Sequence, residues 1–339
     1  MRSVSSPRKK APRERRRARR ALRPRRSSNL RVERGPVAAN WIDLLDPTAE
    51  ELHEHAPHDL EESALELLLA EPQHDDDPRP TLQGHGRYVF GVFLVAAAML
   101  EEDTVCYQEI DLVITGDTIL TVRKSPATSH PPYDLEEVRS AVRPTDSPGM
   151  IAYRIVDDVA EKYLDLVDDI DAEIDELEDK VEDQPAAATR ERVSQLRHDL
   201  LHIRRTLAPT RDAVRRVVDG IVEVEKGAEV FPHDVEVAFN SAYDKLLRAF
   251  DGLELSRDLL ASVRDYHQSK IANDQNEVMK RLTVIASLIL LPTFIVGLYG
   301  QNFVHMPELK WHLGYAYSWA LIIGTTIIQL IWFRRKRWI

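Results

Sequence analysis

The chain has 339 residues, 30% of them charged, a formal net charge of −11 and a mean hydropathy of −0.34. As averages these describe an acidic, soluble, globular protein of about two domains. A hydrophobic content of 43% excludes disorder over the whole length. The acidic balance argues against a nucleic-acid partner, because a phosphate backbone calls for positive charge, and the single cysteine, Cys106, excludes a disulfide framework or a cysteine-based zinc module.

The averages conceal segregation. Residues 1–34 hold 15 Lys/Arg and two acidic residues, a net of +13, whereas the remaining 305 residues carry −24. Residues 1–36 read as a basic, disordered leader, since like charges repel and nothing apolar is present to bury. A solvated tail, a contact with anionic lipid headgroups and an organellar leader all fit that composition.

Residues 37–145 read as a mixed α/β domain. Trp41 to Pro47 is a short strand ending in a turn, and Asp46-Pro47-Thr48 starts a helix with acidic residues in its first turns. Leu60 to Ala70 is a further helical stretch. Tyr88 to Ala96 is a continuous apolar run after Gly84 and Gly86, as expected of a buried strand. Gln108–Thr115 and Thr118–Arg123 flank Gly116-Asp117, a hairpin turn. His53, His55 and His58 lie on a polar segment without the preset tetrahedral shell that zinc requires, and read as surface histidines. The Asp75-Asp76-Asp77 run reads as a solvated loop.

Residues 146–230 read as an acidic helical hairpin. Ile151, Ile155, Val159, Tyr163, Leu166, Ile170, Ile174, Leu177 and Val181 recur every three or four residues. Between Asp157 and Asp183 the other positions carry 14 carboxylates against Lys162 and Lys180, a density that favours nearby cations. Pro185 ends this helix. A second runs from Thr189 to Glu225, with a kink expected at Pro209, and the two pack antiparallel. His198 and His202 are spaced i, i+4 and could share a metal, although no carboxylate completes a motif.

Residues 233–300 read as one stalk helix continuing into a membrane span. Between Pro232 and Pro292 lie 59 residues with no proline and one glycine, Gly252. Phe239, Tyr243, Leu246, Phe250, Leu253 and Leu260 form an a/d seam. Leu282–Tyr299 and Tyr315–Phe333 are 18 and 19 residues without a formal charge, long enough to cross about 30 Å of hydrocarbon. Arg334-Arg335-Lys336-Arg337 follows the second span. The tail 334–339 is therefore cytoplasmic, the loop 301–314 is external, and two spans (the second being 315–333) return the N-terminal region to the cytoplasm. This describes a multi-pass protein of the cell membrane with both termini inside.

Two spans per chain cannot enclose a polar path, so a pore requires several copies around an axis. Asn276, Met279, Leu282, Ala286, Leu290, Thr293 and Gly297 follow one face of the first span. The same stripe suits a small-residue packing seam equally well.

Tyr299-Gly300-Gln301-Asn302-Phe303, followed by Met306-Pro307-Glu308-Leu309, resembles the signature of the CorA family of divalent-cation transporters, which usually reads Tyr-Gly-Met-Asn and then Met-Pro-Glu-Leu. Asn276-Glu277-Val278-Met279-Lys280 resembles that family's entry to its first span. The resemblance covers residues 37–339. It implies a funnel-shaped homopentamer: an α+β cytoplasmic domain, a long stalk helix and two C-terminal transmembrane helices, the first lining the pore. It places Gly300, Gln301 and Asn302 at the external mouth, with Asn302 meeting a hydrated ion and Glu308 adding charge. The substrate implied is Mg²⁺, with Co²⁺ and Ni²⁺ as companions. Mg²⁺ is then also a regulatory ligand between subunits, and no prosthetic group is expected. The partners are further copies of the chain, divalent cations and the bilayer.

Two departures matter. Gln301 stands where the family usually has methionine, which leaves open a Zn²⁺ transporter of the same fold, with proton coupling as one form. Ser241 stands where the family often has a regulatory stalk aspartate, leaving Asp244 and Asp251 as the substitutes. A membrane-anchored sensor without transport is the rival from another class. An enzyme is disfavoured: the sequence has no GxxxxGK[ST] loop and no nucleophile–base constellation.

Overall fold

The computed structural model describes residues 40–57, 60–71, 79–99, 104–126, 131–222, 224, 229–301, 306 and 310–339. His58, the Asp75-Asp76-Asp77 run, Asn302 and Glu308 lie outside the described residues, as does the basic leader. The chain divides into two compact units, one of Met1–Val95, Cys106–Asp158 and Ala213–Asn240, the other of Ala96–Val105, Val159–Asp212 and Ser241–Ile339.

The first unit is built on a five-stranded sheet. Its strands are β1 (Asn40–Leu45), β2 (Thr81–His85), β3 (Tyr88–Met99), β4 (Thr104–Ile114) and β5 (Thr118–Arg123), in the order β1-β5-β4-β3-β2. β1 runs parallel to β5, with Trp41 opposite Ile119 and Asp43 opposite Thr121. β4 and β5 form the antiparallel hairpin expected around Gly116-Asp117. β2, which the sequence reading passes over, pairs antiparallel with β3. In Thr81-Leu82-Gln83-Gly84-His85 the one buried side chain is Leu82, and neither a β-branched nor an aromatic residue shares its side, so alternation gives little signal.

Two helices cover one face of this sheet, α1 (Ala49–His55) and α2 (Glu62–Leu69). α1 starts where Thr48 and Glu51 make a reciprocal capping box, each side chain satisfying the other's backbone N–H. Leu52, Ala64 and Leu68 bury against Ile42, Leu44, Phe90, Val92, Leu120 and Val122. On the opposite face, α3 (Glu136–Ala141) supplies Arg139. This short helix is also absent from the sequence reading.

Three long helices follow. α4 (Pro148–Lys180) opens with proline at its first turn, where a missing N–H costs nothing, and Ser147 Oγ accepts the Met150 N–H at 3.2 Å. Gly149 is demanded by packing: a Cβ there would lie 2.2 Å from the Val230 carbonyl oxygen. α5 (Ala186–Val218) begins just after Pro185, which starts this helix rather than ending the previous one. It runs unbroken through Pro209 and stops at Val218, short of Glu225. The stop is a left-handed Gly220 (φ 64°), whose following residue, Ile221, donates back to the Arg216 carbonyl at 2.9 Å. The antiparallel hairpin is present: Arg192 pairs with Glu173, and Tyr163 lies against Thr206 and Thr210.

α6 (His233–Tyr299) is a single helix of 67 residues, about 100 Å long. Its seam buries Phe239, Leu246, Leu253 and Leu260. Lys245 pairs with Glu161 at 2.7 Å, and Arg204 with Glu254 at 3.1 Å. Lys270 Nζ donates to the Val181 and Glu182 carbonyls just beyond the end of α4, placing a cation at that helix's negative pole. α6 passes through Pro292 without a break, and α7 (Gly314–Arg335) completes the chain.

Candidate functional site

α6 and α7 each contain a stretch long and apolar enough to cross a membrane. Only 11% and 6% of these stretches is buried, so their apolar surface is not satisfied within one chain. Leu282, Leu290, Phe294 and Tyr315 are all more than half exposed. In water such a surface would be untenable; in hydrocarbon it is the expected solvent-facing one. The interfacial residues agree. Trp311 packs edge-on against Tyr317, and Tyr315 against Trp319, at the start of α7. Trp332 and Phe333 mark its other end. Tyr315 and Phe333 are separated by about 27 Å of helix, close to the hydrocarbon thickness between two aromatic belts.

Beyond the second belt the chain turns back on itself. Arg337 is left-handed (φ 55°), the Trp338 N–H donates to the Phe333 carbonyl at 3.0 Å, and the two rings stack at 5.8 Å. Arg334, Arg335, Lys336 and Arg337 project outward around this hook, all exposed.

Backbone polar groups in the spans are supplemented by hydroxyls. Thr283, Ser287 and Thr293 donate to the carbonyls of Met279, Thr283 and Ile289, one turn back. On α7, Thr325 and Thr326 do the same to Leu321 and Ile322. Such bonds hold hydroxyls in an apolar medium without an unmet donor. The two spans touch through Gln329, whose amide donates to the Ser287 carbonyl at 3.3 Å.

The buried residues of α6 in this region are Val284 and Ile295, flanked by the half-buried Ser287, Leu288, Leu291 and Pro292. The stripe of Asn276, Met279, Leu282, Ala286, Leu290, Thr293 and Gly297 is exposed at every position. Ala286 lies two residues from Val284, about 200° around the helix, so the stripe is the face turned away from α7's contact. At Gly297 an added Cβ would meet nothing within 4 Å. Gly300 and Gln301 are exposed at the end of α6, where the Gly300 N–H still reaches the Val296 carbonyl at 2.9 Å.

The stalk candidates are also exposed. Asp244 and Asp251 stand two turns apart on the outside of α6, and Asp258 and Asp265 continue the row at the same seven-residue interval. The sequence expectation names only Asp244 and Asp251; the seven-residue repeat of exposed aspartates extends the row. Among the described residues no group of three or more His, Cys, Asp and Glu is placed to hold a metal ion.

A second constellation, unforeseen in the sequence, is buried in the sheet. Lys124 pairs with Glu109 and lies 3.1 Å from Asp111, and its ammonium also donates to the Leu67 carbonyl of α2 at 2.8 Å. All three side chains are at most 7% exposed. One cation thus faces two carboxylates. Burial pushes the Asp111 carboxyl well above its ordinary range, and the nearby Glu109 charge pushes it further. Burial also raises Glu109, against the pull of Lys124. On the other sheet face, Asp43 accepts from Arg123 and Arg139 at 2.8 and 2.9 Å, and the Arg139 guanidinium lies 4.5 Å above Trp41. These charges fasten β1, β5 and α3 together. Both clusters belong to the first unit and the spans to the second.

Fold and spans together define a membrane protein with a mixed sheet domain, a long helix and two C-terminal spans. The family model described as "CorA-like Mg2+ transporter protein" matches residues 38–335, and the chain belongs to this family. The cobalt/magnesium transport protein CorA of Thermotoga maritima is 29% identical over 264 residues, 77% of this chain and 73% of that protein. The protein of the same name from Methanocaldococcus jannaschii is 24% identical over 309 residues, 88% of this chain and 91% of its own. The complete structure of the M. jannaschii CorA magnesium transporter superposes with a TM-score of 0.71 at 22% identity, covering 88% of this chain and 91% of that one. The chain is accordingly a membrane transporter of divalent cations and not an enzyme.

Proposed function

We propose that the protein is a channel-type transporter for Mg²⁺, with Co²⁺ and Ni²⁺ as further cargo, acting as a homopentamer whose five α6 helices line the path. The observation that carries this reading is the exposed stripe on α6, opposite its contact with α7. It is small and mildly polar at its ends, apolar around Leu282, Ala286 and Leu290, and free of fixed charge. A divalent ion passing such a face would not be trapped, and rings of Leu282 and Leu290 would close it by dewetting. Open space beside Gly297 leaves room for a neighbouring copy to approach closely.

Gly300, Gln301 and Asn302 form the external mouth in this reading. Mg²⁺ gives up its water reluctantly, so carbonyl and amide oxygens bind the hydrated ion rather than strip it, and Glu308 concentrates cations nearby. The membrane potential contributes roughly 4.6 kcal/mol per 100 mV to inward movement of a double charge, so no nucleotide hydrolysis is needed. Both termini are cytoplasmic, as the basic tail directs. Closure follows binding of Mg²⁺ to exposed stalk carboxylates between copies. Asp244 and Asp251 belong to a row that includes Asp258 and Asp265, and this repeat supports a shared acidic seam despite Ser241.

The test is flux in proteoliposomes loaded with an Mg²⁺-sensitive dye. The wild-type protein should conduct, and Asn302→Ala should conduct nothing while remaining assembled by light scattering. Undiminished flux in that variant refutes the pore assignment; silence of the wild type favours a sensor without transport. Gln301 in the signature supports a second reading, Zn²⁺ as cargo, and parallel measurements with Zn²⁺, with and without a pH gradient, decide between the two.

A further inference from the structure

α5 carries two histidines that transport does not use. His198 and His202 are one turn apart on its outer side; His198 is exposed and His202 half-buried. Their ring centroids are 4.2 Å apart, with planes tilted by 57°. The opposite side of the same turns is core: Leu196, Leu200, Ile203 and Leu207 are at most 3% exposed. The helix backbone is therefore fixed by packing while the two imidazoles face outward at i, i+4 spacing. We propose that His198 and His202 form a binding site for a first-row transition dication, separate from the Mg²⁺ path and independent of it.

The ligand class follows from the donors. Imidazole nitrogen suits Cu²⁺, Ni²⁺, Zn²⁺ and Co²⁺, whereas Mg²⁺ prefers oxygen and keeps its water. A shared metal needs one nitrogen from each ring about 2.0–2.1 Å away, and the 4.2 Å separation of the ring centroids is of the order that such a pair requires. Two protein ligands leave the remaining coordination positions to water, in keeping with the absence of a three-residue cluster among the described residues. A metal bridging one turn would staple α5 in its helical form and so stabilise the face that packs inward.

The experiment uses the tag-free full-length protein in detergent, titrated with Cu²⁺ and followed by electron paramagnetic resonance, with Ni²⁺ as a second probe in calorimetry. The expected result is one Cu²⁺ per chain with coupling to two nitrogens, undisturbed by excess Mg²⁺, and a metal-dependent rise in melting temperature. His198→Ala and His202→Ala should each weaken binding about a hundredfold, the avidity that a second tethered ligand supplies, and abolish the rise. Unchanged circular dichroism and Mg²⁺ flux in the variants show that the fold is intact. A four-nitrogen signal that disappears in both variants also supports the pair, completed by a second copy. Binding that survives in either variant at full affinity, or that Mg²⁺ displaces at equal concentration, overturns the proposal.

Discussion

The sheet of the first unit and the two spans of the second handle the same problem in opposite ways. In the sheet, apolar side chains are sealed inside, and the buried charges described stand against opposite charge in groups of three: Lys124 with Glu109 and Asp111, Asp43 with Arg123 and Arg139. In the spans, apolar side chains such as Leu290 and Ile289 stand on the outside, and the described span helices contain no charge between Leu282 and Tyr299. The solvent differs, and so the inside and the outside exchange roles. A core position in the sheet is therefore a stability position, while an exposed apolar position in α6 adds nothing to packing within the chain.

The sharpest way to break this contrast is Lys124→Met. It leaves two buried carboxylates without their cation, and the sheet unit should lose about 3–5 kcal/mol, read from denaturant unfolding of the purified protein. Phe93→Ala should cost a similar amount, about 3–5 kcal/mol, by opening a cavity at a fully buried site. A loss below about 1 kcal/mol in either variant would contradict the packing described here. Thr48→Ala, which removes the α1 cap, should cost about 1 kcal/mol.

A subtler test concerns pH. The folded Asp111 and Glu109 carboxyls lie above their ordinary values, so the native state holds protons that the unfolded chain has released. Their contribution to stability is complete below the ordinary carboxylate range and is lost as pH rises through the raised folded values. The sheet should therefore be more stable on the acid side of that window, and Asp111→Asn should flatten the profile. An unaltered slope in that variant would place the proton elsewhere. At the other extreme, Leu290→Ala and Gly297→Val should leave unfolding of the sheet unchanged, since neither side chain is packed within the chain. Their effect should appear in flux and in the oligomer seen by light scattering. A stability loss in the sheet would erase the distinction between the two regions.

Much of this organisation is legible in the residues themselves. Gly116-Asp117 between two alternating runs predicts the β4–β5 hairpin, Thr48 and Glu51 announce α1, and the uncharged runs mark the spans. The seam from Phe239 to Leu260 follows directly from its spacing. What escapes depends on partners distant in sequence. β2 has too few strand-forming side chains to stand out, and only pairing with β3 defines it. Glu109 and Asp111 alternate along β4 as a solvated strand face would, and only Lys124 across the hairpin, beneath Leu67, shows that this face is buried. The pattern alone carries α5 too far, because Ile221 and Val222 continue it beyond Gly220, whose left-handed backbone stops the helix. For the site, the stripe on α6 was readable as a stripe, yet its separation from α7 depends on Gln329 reaching Ser287.

The uninterrupted course of α6 has a mechanical consequence. A rod about 100 Å long that pivots near its middle by about 3° displaces each tip by roughly 2.6 Å, comparable with the width of a water molecule. Within that rod Pro292 removes one rung of the backbone ladder, leaving its softest point nine residues before Gln301. Small rotations of the stalk thus arrive at the membrane as ångström-scale translation, and compliance is concentrated just short of the signature that follows.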